Sequence, residues 1–298
     1  MDAKTLTFDR LRRRLQGIAY RMLGSPAEAE EVVQDSWLRW HEAEPMAPDH
    51  AEAWLVTVAT RLAIDRLRAA KVQREHYAGF WLPEPELIEP ASNPADMLER
   101  ADDLSVAFLR VLERLAPEAR AAFLMREVFD ADYADVAGLL GKSEAACRQI
   151  VSRAKTQLRE ERPRYDVPQD LHHRLLSDFA QAMAKGDFSG LRGLLSEDAQ
   201  LIGDGGGHVP SFPKPLVGAQ RIAQLFYAGV LRHGEDGVRV EVVGLNGQWG
   251  LLRFIEGKLE SAQAYETDGQ RITHILVQRN PFKLARLAQA LGVECLNA

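Results

Sequence analysis

Between residues 142 and 162 six basic side chains, Lys142, Arg148, Arg153, Lys155, Arg159 and Arg162, stand against three acids. Ser143 is a good helix N-cap, so a helix starting there has its first amides free. At helical spacing Arg148, Gln149, Ser152 and Arg153 share the exposed side, while Ile150, Val151, Ala154 and Leu158 pack. Arginine pairs bidentately with guanine and glutamine with adenine, so this face has the chemistry to read base edges. The bland alternative is a helical hairpin with a solvated basic face. Gly138 to Ser143 superficially resembles a phosphate-binding loop, but only two residues separate its glycines where the motif needs four.

A second basic stretch, residues 54–75, carries Arg61, Arg66, Arg68, Lys71 and Arg74 beside the apolar face Trp54, Leu55, Val58 and Leu62. Such a helix suits a membrane, a protein partner or nucleic acid. Two separate basic helices on one chain favour a bipartite nucleic-acid contact. Residues 25–50 are the opposite: seven acids against the single base Arg39, which suggests a different, basic partner. Towards the C-terminus Asp204, His208 and His274 could do acid–base work in an apolar cavity. The glycines 205–207 beside Asp204 are equally a tight turn.

These residues need particular elements. Residues 8–75 read as helices: Leu11, Leu15, Ile18, Ala19, Met22 and Leu23 recur at helical spacing, and Gly24-Ser25-Pro26 ends one helix and starts the next. Val32, Val33, Ser36, Trp37 and Trp40 form one face of the second helix; Pro45 and Pro48 break the chain before a third, from about Ala51 to Arg74. Residues 79–95 hold four prolines and no helical period, the mark of an extended linker. It also carries Phe80, Trp81, Leu82, Leu87 and Ile88, which a solvated linker would not need, so it docks on something. Helices are expected again over Asp96–Leu115, from Pro117 to near Phe129, over Tyr133–Leu140 and from Ser143 to about Glu161. Short helix, Gly141 turn and longer basic helix make a helix-turn-helix. Residues 169–195 read as two helices parted at Gly186-Asp187. Period-two runs follow at VRVEVV, GLLRFI, SAQAYE and RITHILVQ, with one helix at Ala219–Leu231, giving an α+β domain with an antiparallel meander.

The chain has 298 residues, 46% hydrophobic and 27% charged, enough for several small cores. No window approaches the roughly 18 apolar residues of a membrane span, and the charged N-terminus does not look like a signal peptide. Cys147 and Cys295 are too isolated for a disulfide framework or a metal site. The expectation is a cytoplasmic protein without membrane contact, cofactor, metal or catalytic residues.

Residues 8–162 resemble the extracytoplasmic-function sigma factors. AYRMLGSPAEAEEVVQDSWLRW looks like the polymerase-binding part of their first domain, AWLVTVATRLAIDRLRAAK like their −10 element reader, and LAPEARAAFLMREVFDADYADVAGLLGKSEAACRQIVSRAKTQL like their −35 reading domain. FWLPEPEL resembles the linker signature of the sigma-J-like subgroup, whose members carry a C-terminal SnoaL-like domain with the NTF2-like cone fold. The subgroup's motifs read DGGGK and NPDKL; here His208 replaces the Lys and Phe282 the Asp.

The resemblance implies a multidomain chain: two all-α domains followed by an α+β NTF2-like cone. The expected boundaries are 1–76 for region 2, 77–95 for the linker, 96–163 for the region 4 helix-turn-helix and 169–298 for the cone. It implies core RNA polymerase and promoter DNA, with its −35 and −10 elements, as partners, a monomer when free, and no separate anti-sigma factor. Glu31, Asp35 and Trp37 would meet polymerase, although Trp37 also suits the core. In the loop Met46–His50, Asp49 and His50 would meet a splayed-out base, with Arg61 and Asp65 facing DNA and Arg68, Lys71 and Arg74 on phosphates. Asp65 is equally an intrahelical partner for Arg61 or Arg68. Ser143, Arg148, Gln149, Ser152, Arg153 and Lys155 would meet the −35 element. Interdomain control would fall to Trp81, Leu82, Pro83, Glu84 and Pro85 in the linker, and in the cone to Asp204, Gly205, Gly206, Gly207, His208, Asn280, Pro281, Lys283 and Leu284. A cone that binds a small ligand or keeps isomerase-like activity is the alternative.

Overall fold

A computed structural model describes residues 3–44, 46–75, 77–87, 105–159, 167–234 and 236–296. The expected helix from Asp96 and the linker beyond Leu87 lie outside the described residues in part or whole. The chain divides into two compact units, Met1–His76 with Val111–Arg162, and Tyr77–Arg110 with Pro163–Ala298. The linker thus belongs to the same unit as the C-terminal domain.

The first unit is all helical. Helix α1 (Ala3–Leu23) buries Leu11, Leu15, Ile18, Met22 and Leu23. Gly24 takes φ 69°, the left-handed conformation that ends the helix. The Ser25 hydroxyl then accepts the Glu28 N–H at 3.3 Å, and Pro26 opens α2 (Pro26–Glu42). Helix α3 spans Pro48–Glu75 and packs with α1 and α2. It starts three residues earlier than expected, because Pro48 initiates a helix rather than breaking one. Asp49 and His50 therefore sit in its first turn, not in a loop. Helix α4 (Val106–Leu112) crosses the unit boundary. It is followed by α5 (Pro117–Glu127), α6 (Tyr133–Leu140) and α7 (Glu144–Arg159). Gly141 caps α6 at φ 64°, and Ser143 Oγ accepts the Ala146 N–H at 3.2 Å. The buried stripe of α7 is Cys147, Val151, Ala154 and Leu158. Ile150, expected in it, is half-exposed: the stripe steps by 4, 3 and 4, which leaves position 150 on its flank.

The second unit opens with α8 (Gln169–Lys185) and α9 (Phe188–Leu194). A six-stranded sheet follows: β1 (Leu195–Asp204), β2 (Leu216–Val217), β3 (Val238–Leu245), β4 (Gln248–Ile255), β5 (Lys258–Thr267) and β6 (Ile272–Gln278). Helix α10 (Ala219–His233) precedes β3, and α11 (Pro281–Leu291) follows β6. The strand order is β2-β1-β6-β5-β4-β3, with β1 parallel to β6 and the other pairs antiparallel. The sheet is therefore mixed, not the antiparallel meander expected from its last four strands. Strand β1 went unread because Ser196, Glu197, Asp198 and Gln200 break its alternation.

Register irregularities at Arg253/Phe254 and Glu266/Thr267 bend the sheet into a cone. Phe179, Leu201, Phe226, Leu251, Tyr265, Ile275 and Val277 occupy its inside, where Phe179 meets Phe226 and Tyr265 edge-on. The outside is apolar too. Leu245, Leu252, Phe254 and Ala262 pack with Leu284 and Leu287 of α11, while Ile202 and Leu276 pack with Leu82 of the linker. A sheet covered on both faces must carry apolar residues at both phases of its period-two pattern.

His172 of α8 is 5% exposed, and its Nε2 has no hydrogen-bond partner among the described residues. Burial, with a smaller push from His173, lowers its pKa from 6.5 to about 4. The folded protein therefore holds the imidazole neutral while the unfolded chain binds a proton below pH 6.5. Stability should fall by on the order of 3 kcal/mol between pH 7 and pH 4 from this residue. Denaturant unfolding of wild type and His172→Leu at both pH values tests this: the variant should lose correspondingly less, and equal losses would contradict it.

Candidate functional site

The carboxylate of Asp204, 0% exposed at the end of β1, is the centre of the second unit's polar chemistry. Its Oδ1 accepts the Tyr77 hydroxyl at 2.6 Å and the Gly206 N–H at 3.0 Å. Its Oδ2 accepts the Leu82 N–H at 2.8 Å, Lys283 Nζ at 2.8 Å and Gln278 Nε2 at 3.2 Å. Tyr77 and Leu82 are linker residues; Gln278, Asn280 and Lys283 come from the end of β6 and the start of α11. Lys283 also donates to the Leu82 carbonyl at 2.7 Å and lies 4.1 Å over the Trp81 ring and 4.8 Å over the Tyr77 ring. A buried ammonium is thus met by a carboxylate, a carbonyl and two aromatic faces.

The apolar half of this clasp is Leu82, fully buried among Val106, Ile202 and Leu276. Pro83 and Pro85 are buried beside it and Glu84 half-buried. The space left there is about 10 Å³, no more than one water could fill. Further along, Glu86 and Asn246 exchange two hydrogen bonds at 3.0 Å, and Leu87 bridges Leu245.

The glycine turn is shaped by the linker. A Cβ on Gly206, which has φ 61°, would lie 2.1 Å from Asn280 Nδ2 and 3.1 Å from the Tyr77 hydroxyl. One on Gly207 would lie 3.0 Å from Ala78, and one on Gly205 2.0 Å from the Val209 carbonyl. Asn280 caps α11 by accepting the Phe282 N–H at 3.0 Å and donates to Tyr77 at 2.9 Å. Pro281 takes the first helical position and Leu284 enters the outer core. His208 and Phe282, the two departures from the subgroup's motifs, face each other edge-on at 4.7 Å. Burial, then the Asp204 carboxylate, raise the Tyr77 pKa above the ordinary phenol value, so it stays a donor. Sequence reasoning missed Tyr77 and Gln278. Each flanks a motif it did find, and only the fold brings them to Asp204.

His274 does not join Asp204 in a cavity. Its Nδ1 lies 3.1 Å from Glu266, while Asp204 is committed to the donors above.

In the first unit three of the expected −10 residues, Arg61, Asp65 and Arg68, are engaged by protein. Arg61 donates to the Leu139 and Gly138 carbonyls, both at 3.0 Å, at the end of α6. That end presents unsatisfied carbonyls and the negative pole of the helix, a natural seat for a guanidinium. Arg68 pairs with Asp65 at 3.1 Å and with Glu118 at 2.7 Å, and Glu118 also meets Lys142 at 3.2 Å. Asp65 is thus an intrahelical partner of Arg68. The buried Arg120 reinforces this packing by donating to the Met22 carbonyl at 2.6 Å and pairing with Glu113. The His50 side chain is exposed; those of Asp49, Lys71 and Arg74 lie outside the described residues.

Ser143, which caps α7, and Arg148, Gln149, Ser152 and Arg153 on it are exposed. Lys155 instead pairs with Glu127 of α5. Glu31 and Asp35 are bridged by one guanidinium, Arg66, at 2.6 and 2.7 Å. Trp37 is half-buried, edge-on to Phe8 at 4.9 Å, and Leu38 beside it is 60% exposed.

Comparison with known proteins agrees with this architecture. Residues 7–72 match the family model Sigma-70 region 2, and residues 105–158 match Sigma-70, region 4. The ECF RNA polymerase sigma factor SigJ of Mycobacterium tuberculosis is 35% identical over 274 residues, 91% of this chain and 86% of that one. The probable ECF RNA polymerase sigma factor SigI of the same organism is 29% identical, with 93% of each chain covered. A crystal structure of the Mycobacterium tuberculosis extracytoplasmic function sigma factor SigJ matches 93% of this chain and 97% of its own at a TM-score of 0.74 and 31% identity. Helical regions 2 and 4, an α+β cone and this likeness over nearly the whole chain have one meaning: the protein belongs to the extracytoplasmic-function family of RNA polymerase sigma factors.

Proposed function

We propose that this sigma factor directs core RNA polymerase to promoters under control in cis, with the cone acting on the segment that joins its two DNA-reading regions. The single observation that carries this reading is the clasp of Tyr77, Trp81 and Leu82 by Asp204 and Lys283. A tether with residues 77–87 held by the cone has less free length to span the two regions. A short tether raises the effective concentration of region 4 at region 2 and favours their mutual contact.

That contact occupies Arg61 and Arg68. A guanidinium that donates to helix carbonyls is unavailable to phosphate, so promoter binding requires region 2 and region 4 to part. The clasp therefore inhibits, and core polymerase, which would dock on the acidic face of α2 around Glu31, Asp35 and Trp37, shifts the balance towards the open form. A cone in this role makes a separate anti-sigma factor unnecessary, and the free protein is a monomer that works in the cytoplasm beside polymerase and promoter. Regulation is favoured over ligand chemistry by the commitment of Asp204 to the linker and by the side chains that occupy the inside of the cone.

Two variants test the reading. Lys283→Met breaks a buried ion pair, which costs about 3–5 kcal/mol when one partner is left behind. Transcription in vitro by core polymerase with this variant should exceed wild type several-fold; equal activity would sink control in cis. Glu118→Gln removes two partly exposed ion pairs, each of about 0.2–1 kcal/mol. Promoter affinity of the free protein should rise roughly two- to fivefold, and an unchanged or lower affinity would show that this contact does not compete with DNA.

A further inference from the structure

Tyr133 opens α6 and its ring is flanked by two guanidinium groups. Arg126 of α5 lies 5.1 Å from the ring centroid and Arg148 of α7 lies 5.0 Å from it. Arg126 is itself anchored, its Nη1 donating to the Ala131 carbonyl at 2.9 Å. Arg148 is held at a second point, where its Nη2 donates to Glu144 at 2.6 Å. Yet the Arg148 side chain is 55% exposed, on the flank of the buried stripe of α7.

A long exposed arginine ordinarily samples many rotamers and loses that freedom on binding. Here a ring face and a carboxylate hold the planar group at two points, which leaves it few orientations. Nη2 carries a second N–H, and with its neighbour on that edge of the guanidinium it forms the fork that remains to be presented to the O6 and N7 acceptors of a guanine. Arg126 keeps the ring in place from the adjacent helix.

We propose that Tyr133 is a positioning residue for promoter specificity, setting the geometry in which Arg148 reads one base pair of the upstream element. This rests on the reading of α7 as the base-contacting helix. Tyr133 itself touches no base in this scheme; it acts through Arg148.

The test uses the full chain with core polymerase on a template pool randomised across the upstream element, with transcripts sequenced to give base preference at each position. Arg148→Ala should flatten the preference at one position by roughly tenfold, the worth of one good bidentate pair. Tyr133→Leu, which keeps apolar volume and removes the ring, should flatten the same position by roughly three- to tenfold. Its dependence on salt should match wild type, because no phosphate contact is lost. Tyr133→Phe, which keeps the ring face, should retain the preference. A thermal melt of each variant reports its fold, and should Tyr133→Leu unfold, Glu144→Gln releases the other anchor and should flatten the same position. A preference retained by the Tyr133→Leu or Glu144→Gln variant at the position that Arg148→Ala loses, or an equal loss on all templates, overturns the proposal alone. An Arg148→Ala variant with unaltered preference overturns both it and the base-reading assignment of α7.

Discussion

A carboxylate with no exposure to solvent organises the second unit. A carboxylate buried without partners would be prohibitively costly. Its donors, Tyr77, Leu82, Gly206, Gln278 and Lys283, come from three separate parts of the chain. None of the three can leave without exposing the others to the same penalty. Replacing such a buried pair by apolar residues is often neutral for stability, so its value lies in specifying one arrangement. Here the arrangement is a linker in a single register, with Leu82 in its apolar seat and Trp81 against the ammonium of Lys283.

The same linkage explains why the linker sequence looks the way it does. Prolines preset an extended path and remove backbone donors that would otherwise need partners. The donors and acceptors that remain at Leu82 and Glu86 are met by Asp204, Lys283 and Asn246. The glycines after Asp204 follow from close approach: side chains at 206 or 207 would occupy the place of Asn280, Tyr77 or Ala78. Cone and linker thus constrain each other residue by residue.

Much of this was legible in the residues themselves. Helical spacing, Gly24-Ser25-Pro26 and the Ser143 cap are local signals, and the helices they predict are present. An apolar linker that must dock was legible because Phe80, Trp81 and Leu82 have no purpose in water. The failures were non-local. Strand β1 has a polar first half and finds its parallel partner β6 about seventy residues later, a pairing that no local period reveals. The engagement of Arg61 by the end of α6 was equally hidden, because a basic helical face looks the same whether it awaits phosphate or already holds carbonyls. Tyr77 and Tyr133 carried no motif; each gained its role from neighbours that only the folded chain supplies.

The central claim is that the linker is a folded part of the cone unit through Asp204. Amide hydrogen exchange at Leu82, in the full chain and in Asp204→Asn, measures this directly. The account predicts protection of the Leu82 amide comparable with that of the β-sheet amides in wild type, and its loss by at least about tenfold in the variant. Exchange at the rate of an unstructured amide in the wild type, or protection unaltered by the substitution, would contradict it.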